Sequence, residues 1–360
     1  MDRKMAIANL LLPAGWIFGT VARLRRLLYE KSILKSHEPP VATVTVGNIA
    51  VGGTGKTPHS IYIINLLKEH FNVAFLSRGY GRTSTGYKSA SLLKKEDVSP
   101  ETLGDEPFMI HLRFPEIPLA VDTDRVEGIC NIKKERPDTE VVVLDDAYQH
   151  LRLKPGFSIV LTEYASPYCD DFPMPAGRLR EFPSAATGAD MVVVTKTPEN
   201  TVPDKQAWCK KLGINEKQHL FFTRMEYENP QPATLPARNI DINTLKSIVL
   251  LTGIAHPEPL KEHLSRHFAV ERHFRFSDHH RFTGKDMRKV AEHVESGSSA
   301  KAVITTEKDW ARMQSADVIN IVSLLPVFVV RIETSFISDE ESEKFNNILK
   351  EYVRRKKEET

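Results

Sequence analysis

One stretch, residues 41–60, constrains the fold of this chain more than any other. It reads VATVTVGNIAVGGTGKTPHS, a β-branched run followed by a glycine-rich loop and then by Lys56 and Thr57, which open a helical pattern. Glycines let successive backbone N–H groups converge on an anion, and the lysine and the helix dipole add positive charge there. A strict Walker A pattern has glycine where Ala50 stands, but the GGTGKT core keeps the groups that bind phosphate. The predicted nucleotide-binding residues are Gly52, Gly53, Thr54, Gly55, Lys56 and Thr57.

Composition narrows the classes of protein that remain. At 360 residues the chain is long enough for two or more domains. Its 49 basic and 47 acidic residues nearly balance, so no overall field favours nucleic acid as a partner, and the sequence indicates no obligate protein partner. Cys130, Cys169 and Cys209 lie far apart without CxxC spacing, which supports neither a disulfide framework nor a zinc site.

Apolar runs alternate with helical patterns downstream of the glycine-rich loop. This alternation predicts an α/β fold with a mostly parallel sheet, like that of P-loop NTPases, covered by helices on both faces. The P-loop domain is predicted over residues 36–223. Its predicted strands are residues 41–46, 73–76, 118–121, 141–144, 158–162, 191–195 and 220–223, with helices at 57–70 and 123–136.

A second domain is predicted after a change in composition. Residues 224–243 carry three prolines and no long apolar period, which indicates an extended, β-type linker. A smaller α/β domain is predicted over residues 244–360. Its predicted strands are residues 248–252, 270–276, 302–305 and 327–332, with helices at 260–267, 285–295 and 339–354.

The N-terminal segment, residues 1–35, is predicted to be a helix that associates with a membrane. Residues 5–22 carry no charge, and a basic flank follows them. Pro13 and Gly15 interrupt the apolar run, which disfavours a spanning helix, and the nucleotide loop close behind it disfavours a signal peptide. An interfacial helix, with its apolar face in the membrane surface and its arginines on anionic lipid, fits the pattern. The alternative is an amphipathic helix that packs on the protein's own core.

An apolar strand ending in two aspartates, EVVVLDD at residues 140–146, resembles a Walker B motif. Ligands of open α/β sheets lie beyond the carboxyl ends of the strands, so Asp145 and Asp146 are expected near the glycine-rich loop. A hard cation that bridges phosphate oxygens prefers one or two carboxylates and a hydroxyl. We therefore expect Mg²⁺ to be held by Thr57 together with Asp145 or Asp146.

The base of the nucleotide is predicted from a motif that the sequence lacks. A GTP-binding protein would be expected to carry Asn-Lys-x-Asp after a later strand, and neither residues 195–198 nor residues 306–309 fit that pattern. ATP is therefore the predicted nucleotide. The segment at residues 305–309 follows a strand and either faces the nucleotide or forms a capped loop.

Two further clusters are candidates for proton transfer. In Gly104-Asp105-Glu106-Pro107 the proline suggests the first helical position, which would make Glu106 the cap and leave Asp105 outside the helix. In the run from Ser277 to His280, adjacent histidines on an extended chain point in different directions, which disfavours a shared metal. An Asp-His pair suits a general base with its orienting group instead.

Taken together, these residues resemble the tetraacyldisaccharide 4′-kinase family, the lipid A 4′-kinases of Gram-negative outer-membrane synthesis. The motifs that carry the resemblance run in the family's order from the N-terminal helix to about Trp310: GNIAVGGTGKTP, SRGYGR, GDEP, DDxxQH, PAGRLRE, DHH and TTEKD. One position departs from the family pattern, because Ala147 stands where glycine is usual. Glycine would permit a positive φ, so alanine predicts a slightly different backbone after the second aspartate.

The resemblance implies transfer of a phosphate from ATP to the 4′-hydroxyl of a tetraacylated disaccharide 1-phosphate, at the cytoplasmic face of the bacterial inner membrane. It also implies that Lys56 contacts the β- and γ-phosphates, and that Asp105 accepts or orients the hydroxyl proton with His279 as its partner. Candidate substrate-binding residues are Arg78, Tyr80, Glu106, Arg125, Gln149, His150, Arg180 and Glu181.

Two other functions remain open from the sequence. One is a soluble P-loop kinase or ATP-dependent ligase for a small polar metabolite, and the apolar N-terminal segment favours a lipid acceptor over it. The other is a non-enzymatic nucleotide switch. The lack of a guanine-reading motif and the presence of an additional Asp-His pair count against a switch.

Overall fold

The computed structural model describes residues 3–154, 156–296 and 302–359. In chain order its strands are β1 (Ala42–Asn48), β2 (Val73–Ser77), β3 (Lys88–Ser89), β4 (Leu119–Val121), β5 (Val141–Asp145), β6 (Phe157–Glu163), β7 (Met191–Thr195), β8 (His219–Tyr227), β9 (Gln231–Pro232), β10 (Ser247–Thr252), β11 (Ala269–Arg275), β12 (Val303–Thr306), β13 (Val327–Val330) and β14 (Ile332–Phe336). Its α-helices are α1 (Arg3–Glu30), α2 (Lys56–Lys68), α3 (Pro100–Leu103), α4 (Asp105–Arg113), α5 (Arg125–Glu135), α6 (Lys205–Leu212), α7 (Glu258–Ser265), α8 (Gly284–Glu295), α9 (Glu307–Arg312), α10 (Ala316–Val322) and α11 (Asp339–Glu358).

The larger of the two sheets within these ranges has nine strands in the order β14-β8-β7-β6-β1-β5-β2-β4-β3. Its interior is parallel, and only the edge strands β14 and β3 run antiparallel to their neighbours. Every residue of β1, β2, β5 and β7 is buried, because helices cover both faces. The predicted fold class, a mostly parallel α/β sheet covered by helices, is confirmed.

The smaller sheet has the strand order β11-β10-β12-β13-β9. Four of its strands are parallel, and the short β9 adds antiparallel to β13 at one edge. The predicted linker residues, 224–243, divide between the sheets: β8 continues to Tyr227 in the first, and β9 belongs to the second. Where the chain crosses back, the backbone N–H of Glu228 donates to the carbonyl of Arg331 at 3.0 Å. Two crossing segments therefore lie side by side between the sheets.

The end of the chain corrects the predicted domain assignment. Residues 332–358 were expected in the second domain, but β14 pairs with β8 of the first sheet. Helix α11 packs on that sheet too, with the Tyr352 ring 5.2 Å from the Phe157 ring and Leu349 fully buried. The pattern of an amphipathic helix predicts that one face is buried, but it does not predict which sheet that face packs against.

Helix α1 is continuous through Pro13 and lies against the first domain. Two small residues permit the contact, since a Cβ on Gly15 would lie 2.7 Å from the Pro173 carbonyl oxygen and one on Gly19 would lie 2.7 Å from the Phe182 ring. Arg26 further down the helix forms an ion pair with Glu181 through two hydrogen bonds of 2.7 and 2.8 Å. No helix in the described ranges is long and apolar enough to cross a membrane.

Candidate functional site

The glycine loop, residues 49–55, joins the end of β1 to the start of α2. Gly52 and Gly55 have φ angles of +126° and +88°, which favour glycine and turn the chain sharply into the helix. The loop is held from within, because the Asn48 side chain donates to the Thr54 hydroxyl at 2.9 Å. It is also held from strand β7, because the Thr195 hydroxyl donates to the Thr54 carbonyl at 3.0 Å. A glycine loop that is held on both sides therefore stands at the carboxyl end of the sheet, between a strand and a helix as the sequence predicts.

Lys56 and Thr57 are the first two residues of α2, and both are partly buried. The Lys56 ammonium lies 3.9 Å from an Asp146 carboxylate oxygen. The lysine charge and the positive end of the helix dipole thus lie close to the two aspartates at the end of β5.

The paired aspartates stand in contrasting environments. Asp145, the last residue of β5, is buried and accepts from the Ser60 hydroxyl at 3.4 Å. Burial and the charge of Asp146 raise the pKa of Asp145 to about 7, although Lys56 acts in the other direction. Asp146 is balanced by cations, since Arg180 donates to both of its carboxylate oxygens at 3.2 Å.

The backbone after β5 turns at Asp146 and not at Ala147, the position where glycine is usual in the family. Asp146 itself has the positive φ, +48°, and Ala147 is buried in a small apolar cluster. Aspartate tolerates the left-handed region better than most side chains, so the turn forms one residue earlier than the glycine pattern suggested.

Two predicted substrate-binding residues, Gln149 and Arg180, lie beside the glycine loop and the aspartates. Gln149 donates from its side chain to the Asn48 carbonyl at 2.5 Å, and Arg180 donates to Gln149 at 3.4 Å as well as to Asp146. The backbone N–H of Arg180 is fixed on the Ile49 carbonyl at 2.7 Å. Glu181, by contrast, is committed to Arg26 of α1 and holds that helix in place.

A basic group lies at the carboxyl ends of β2 and β4. Arg125 opens α5 and is buried, and burial together with the charge of Arg78 lowers the pKa of Arg125 to about 10. His150 lies 3.8 Å from an Asp124 oxygen, and burial and Arg125 lower the pKa of His150. Tyr80 is 76% exposed on the same loop as Arg78. Arg78 and Arg125 therefore bring positive charge to this edge, close to the carboxylates of Asp122 and Asp124.

The Gly104 to Pro107 segment is arranged differently from the prediction. Helix α4 begins at Asp105, so Asp105 is helical and Glu106 is not the cap. Gly104, with φ +93°, turns the chain from α3 into α4. Proline is tolerated anywhere in the first turn of a helix, because the N–H that it lacks has no helical partner there. The proline therefore marked the first turn and not its first residue.

Asp105 of the first domain and His279 of the second meet where the two domains are in contact. His279 Nδ1 lies 3.0 Å from Asp105 Oδ2, and His279 has a positive φ of +56°. His280 points elsewhere, with Nε2 3.1 Å from an Asp286 oxygen and its ring stacked on Phe276 at 4.5 Å. The two histidines diverge as expected, but on a turn at residues 278–279 and not on an extended chain. No cluster of three or more His, Cys, Asp or Glu side chains that could hold a metal occurs in the described ranges.

Next to this pair stands a residue that the sequence reasoning missed. Arg312, at the end of α9, donates from Nε to Asp105 Oδ2 at 2.7 Å. A signal was available: Arg312 lies three residues after Asp309 in a short helix, where an acid and a base share one face. Neighbouring Lys308 pairs with Glu106 at 2.7 Å, so a second contact joins α9 to α4.

Residues 305–309 form the capped turn, which was one of the two predicted alternatives. The Thr306 hydroxyl accepts from the Asp309 N–H at 3.0 Å and donates to an Asp309 oxygen at 2.8 Å. Asp309 is fully buried and receives the N–H of Gly253 at 3.0 Å. The segment therefore supports α9 and its arginine.

Comparison with known proteins identifies the family. A family model described as "LpxK: Tetraacyldisaccharide-1-P 4'-kinase" matches residues 7–354. The chain belongs to the tetraacyldisaccharide 4′-kinase family. A protein of Phocaeicola vulgatus named tetraacyldisaccharide 4′-kinase is 38% identical over 353 residues, which cover 96% of this chain and 95% of that protein. One of Flavobacterium johnsoniae with the same name is 36% identical over 353 residues and covers 97% and 98%.

A solved structure of the family has the same fold. LpxK from Aquifex aeolicus in complex with ATP superposes with a TM-score of 0.74 at 25% sequence identity, covering 96% of this chain and 99% of that one. The likeness to this family member therefore extends over both sheets and is not confined to the P-loop half.

Proposed function

We propose that this kinase family member transfers the γ-phosphate of ATP to the 4′-hydroxyl of a tetraacylated disaccharide 1-phosphate. The observation that carries the proposal is the family match, which spans residues 7–354 and thus includes both domains. The site geometry supports it: phosphate-binding groups stand on one side, and a carboxylate-histidine pair closes the other. The domain division proposed with it is an N-terminal helix, a P-loop domain completed by the last strand and helix, and a smaller α/β domain.

The nucleotide phosphates are assigned to the glycine loop. Gly52 to Gly55 present backbone N–H groups, and Lys56 adds a cation at the start of α2, where it would contact the β- and γ-phosphates. ATP is supported by the Aquifex relative, which is described in complex with ATP. The lack of the guanine-reading motif in this sequence agrees with that choice.

The Mg²⁺ site is assigned to Thr57, Asp145 and Asp146. The donors fit a hard cation, because two carboxylates and a hydroxyl supply oxygen ligands only. The raised pKa of Asp145, about 7, is the mark of a buried carboxylate whose charge a divalent ion would stabilise. When bound there, Mg²⁺ would neutralise charge that develops on the phosphate oxygens.

Proton transfer is assigned to Asp105 with His279. In the reaction the acceptor oxygen bonds to the γ-phosphorus while the bond from that phosphorus to the ADP oxygen breaks, and the hydroxyl proton must leave. Asp105 would orient the hydroxyl and take its proton, and His279, 3.0 Å away, would fix the carboxylate and share the charge. Phosphoryl transfer asks mainly for such positioning, because its transition state is loose.

The acceptor is assigned to the basic edge beyond β2 and β4. Arg78 and Arg125 offer positive charge to a phosphorylated sugar, and His150, whose pKa is lowered, offers a hydrogen-bonding ring; Gln149 and Arg180 border the aspartates. We assign Tyr80 to the same surface. Glu106 and Glu181 are paired with Lys308 and Arg26, and we give them supporting roles.

The acyl chains are assigned to a membrane surface that α1 contacts. One face of α1 packs on the protein through Gly15 and Gly19. On the rest of the helix, Leu10, Ile17 and Val21 are 80%, 68% and 63% exposed. Exposed aliphatic side chains beside arginines are typical of an interfacial helix. We therefore place the enzyme on the cytoplasmic face of the bacterial inner membrane, as a peripheral or monotopic protein.

The decisive experiment measures transfer of labelled γ-phosphate from ATP to tetraacyldisaccharide 1-phosphate in detergent micelles with Mg²⁺. Labelled lipid is the expected product, and the same lipid already phosphorylated at the 4′ position is the matched control that must stay unlabelled. The disaccharide without acyl chains tests the alternative of a small polar substrate. Folded enzyme that labels only this soluble sugar, or no sugar at all, would refute the proposal.

A further inference from the structure

Arg312 is a buried cation that contacts both domains. Its side chain is only 4% exposed. Nε donates to Asp105 Oδ2 at 2.7 Å, one terminal nitrogen donates to the Gly253 carbonyl at 2.9 Å, and the other lies 3.0 Å from His279 Nδ1. The guanidinium thus meets α4 of the first domain and two loops of the second.

We propose that Arg312 is a positioning residue for the transfer reaction, a cation that docks the second domain on Asp105 and sets the geometry of the Asp105-His279 pair. The inference rests on the proposed function, because it assigns a role within the same site. Arg312 acts through Asp105 and His279, and it need not touch the acceptor or the nucleotide.

Residues of the second domain also hold the Arg312 side chain, independently of its contact with Asp105. Asp309, three residues earlier and fully buried, lies 3.2 Å from the guanidinium. The Thr306 hydroxyl and the Gly253 N–H fix the other Asp309 oxygen at 2.8 and 3.0 Å. A charge this deeply buried is costly unless its partners are already in place. The cradle therefore orients the arginine and leaves Nε directed at α4.

The residue type matters because of the number of partners. Asp105, Asp309, the Gly253 carbonyl and His279 lie around one planar group with five N–H donors. A lysine could supply the charge but has a single nitrogen, so it could not reach all four. We therefore expect lysine to be a partial substitute at best.

The arrangement has a consequence for the proton carrier. Arg312 and His279 both contact the same carboxylate oxygen of Asp105, Oδ2, which leaves Oδ1 to the acceptor hydroxyl. His279 Nδ1 either donates to Asp105 Oδ2 or, when the ring proton is on Nε2, accepts from Arg312, and in both tautomers Arg312 Nε donates to Oδ2. The arginine thereby fixes the ring and the carboxylate together.

The charge of Arg312 also acts on Asp105. Burial works to raise the pKa of Asp105, but the Arg312 charge and hydrogen bonds from His279 and Arg312 outweigh burial and hold that pKa below its usual range. The other charged groups that face this point are Lys308, Glu106, Asp278 and Asp309. Arg312 is the nearest cation, at 2.7 Å, so it is the one whose removal should change Asp105 most.

The test compares Arg312→Gln and Arg312→Lys with the control Arg331→Gln. Arg331 lies in the segment that crosses between the sheets, and it pairs with Glu307 at 3.2 Å and not with Asp105. For Arg312→Gln we expect kcat to fall about 30-fold or more, as misplacement of reacting groups produces, with KM for ATP within about twofold. The kcat of Arg312→Lys should lie between those of Arg312→Gln and wild type. The kcat of Arg331→Gln should stay within about twofold of wild type.

Two readouts separate positioning from loss of structure. Added guanidinium should restore part of the Arg312→Gln rate and none of any loss in Arg331→Gln. The acid limb of the kcat/KM profile should move to higher pH in Arg312→Gln, because Asp105 loses its cation. An Arg312→Gln enzyme with wild-type kcat, or one whose acid limb and rescue match the control, would overturn the proposal. If Arg312→Gln does not fold, Arg312→Lys decides the matter, because lysine keeps the charge but cannot reach all four partners, and a wild-type kcat in Arg312→Lys would then overturn the proposal.

A third measurement distinguishes failure of this inference from failure of the proposed function. The ¹³C shift of the Asp105 carboxyl, assigned with Asp105→Asn, can be titrated in the folded wild type and in the Arg312 variants without any acceptor. We expect its midpoint to be higher in Arg312→Gln than in wild type. An unchanged midpoint contradicts the role of Arg312 even if the lipid is phosphorylated, and a shifted midpoint supports it even if the acceptor proves to be another alcohol.

Discussion

The Nδ1 atom of His59 lies 2.7 Å from the carbonyl oxygen of Gly55, the residue at which the glycine loop enters α2. A carbonyl only accepts hydrogen bonds, so Nδ1 carries the ring proton, and Nε2 accepts from the Thr223 hydroxyl at 3.0 Å. The neutral ring thus ties the end of the loop to strand β8. Burial lowers the pKa of His59 to about 4, even though the bond to Gly55 favours the proton.

A pH-dependent stability follows from His59. Its folded pKa lies below its unfolded value of 6.5, so between pH 6.5 and 4 the unfolded chain binds more protons and stability falls as pH falls. The effect at pH 4 is about 3 kcal/mol at most. Denaturant unfolding at pH 7.5 and 5 should therefore show a smaller loss of stability in His59→Gln than in wild type. The exposed His37→Gln is the control, and an equal loss in all three proteins would contradict the role of His59.

Lys56 is expected to serve both binding and turnover. Its ammonium stands at the start of α2 and 3.9 Å from Asp146, where it would meet phosphate charge in the ground state and the transition state. Lys56→Ala should weaken ATP binding in calorimetry and lower kcat by about 100-fold or more. Lys68→Ala, at the other end of the same helix and paired with Glu116 on the surface, should leave both unchanged. Normal kcat at saturating ATP in Lys56→Ala would refute the assignment.

The P-loop half could be predicted because its signals are local. The β-branched run, the glycines and Lys56 lie within 20 residues, and each fixes backbone or charge at its own position. The predicted strand 191–195 coincides with β7, and the other predicted strands of the first sheet fall within a few residues of the observed ones. Parallel strands buried on both faces are continuous apolar runs, which stand out against amphipathic helices.

The second half of the site could not be predicted in the same way. Arg312, Asp105 and His279 are brought together by the docking of two sheets, and Arg312 and Asp105 are 207 positions apart in the chain. Nothing in a short helix such as α9 says which partner its last residue will meet. The return of β14 and α11 to the first sheet could not be predicted either, because it depends on the tertiary packing of the chain after Arg331. The family motifs pointed to Asp105 and His279, but the arginine between them emerged only from the packing.

The buried carboxylate of Asp145, to which we assign a metal-binding role, is expected to lower the free energy of unfolding. Burial and Asp146 raise its pKa to about 7 from 3.8, so between these values the folded state binds more protons and wild-type stability falls as pH rises. Asp145→Asn removes the buried charge and should be more stable than wild type at pH 8, by up to about 4 kcal/mol. The same variant should lose phosphate transfer. Thermal unfolding at pH 5 and 8 is the measurement, and a gain that is no larger at pH 8 would contradict the explanation.

The exposed side of α1 should govern membrane binding. Replacing Leu10, Ile17 and Val21 by serine removes aliphatic groups that are more than 60% exposed and leaves the Gly15-Gly19 packing intact. We expect the triple variant to sediment less with anionic phospholipid vesicles while its melting temperature stays within a few degrees of wild type. Serine at the exposed Val202 and Leu235, outside α1, is the control. Vesicle binding unchanged in the triple variant would favour the alternative in which α1 serves only the protein.

The two neighbouring histidines offer a matched test of proton transfer. His279 contacts Asp105 at 3.0 Å, while His280 pairs with Asp286 and stacks on Phe276 within its own domain. Asp105→Ala and His279→Ala should lower kcat by about 100-fold or more and leave ATP affinity nearly unchanged, because general-base groups act on the acceptor hydroxyl and not on the nucleotide. His280→Ala should lower the melting temperature and keep most of kcat, because its contacts are internal. Single-turnover rates and ATP calorimetry on the three variants decide the matter. A His279 variant that loses ATP binding but keeps its rate at saturation would show that the histidine belongs to the nucleotide site.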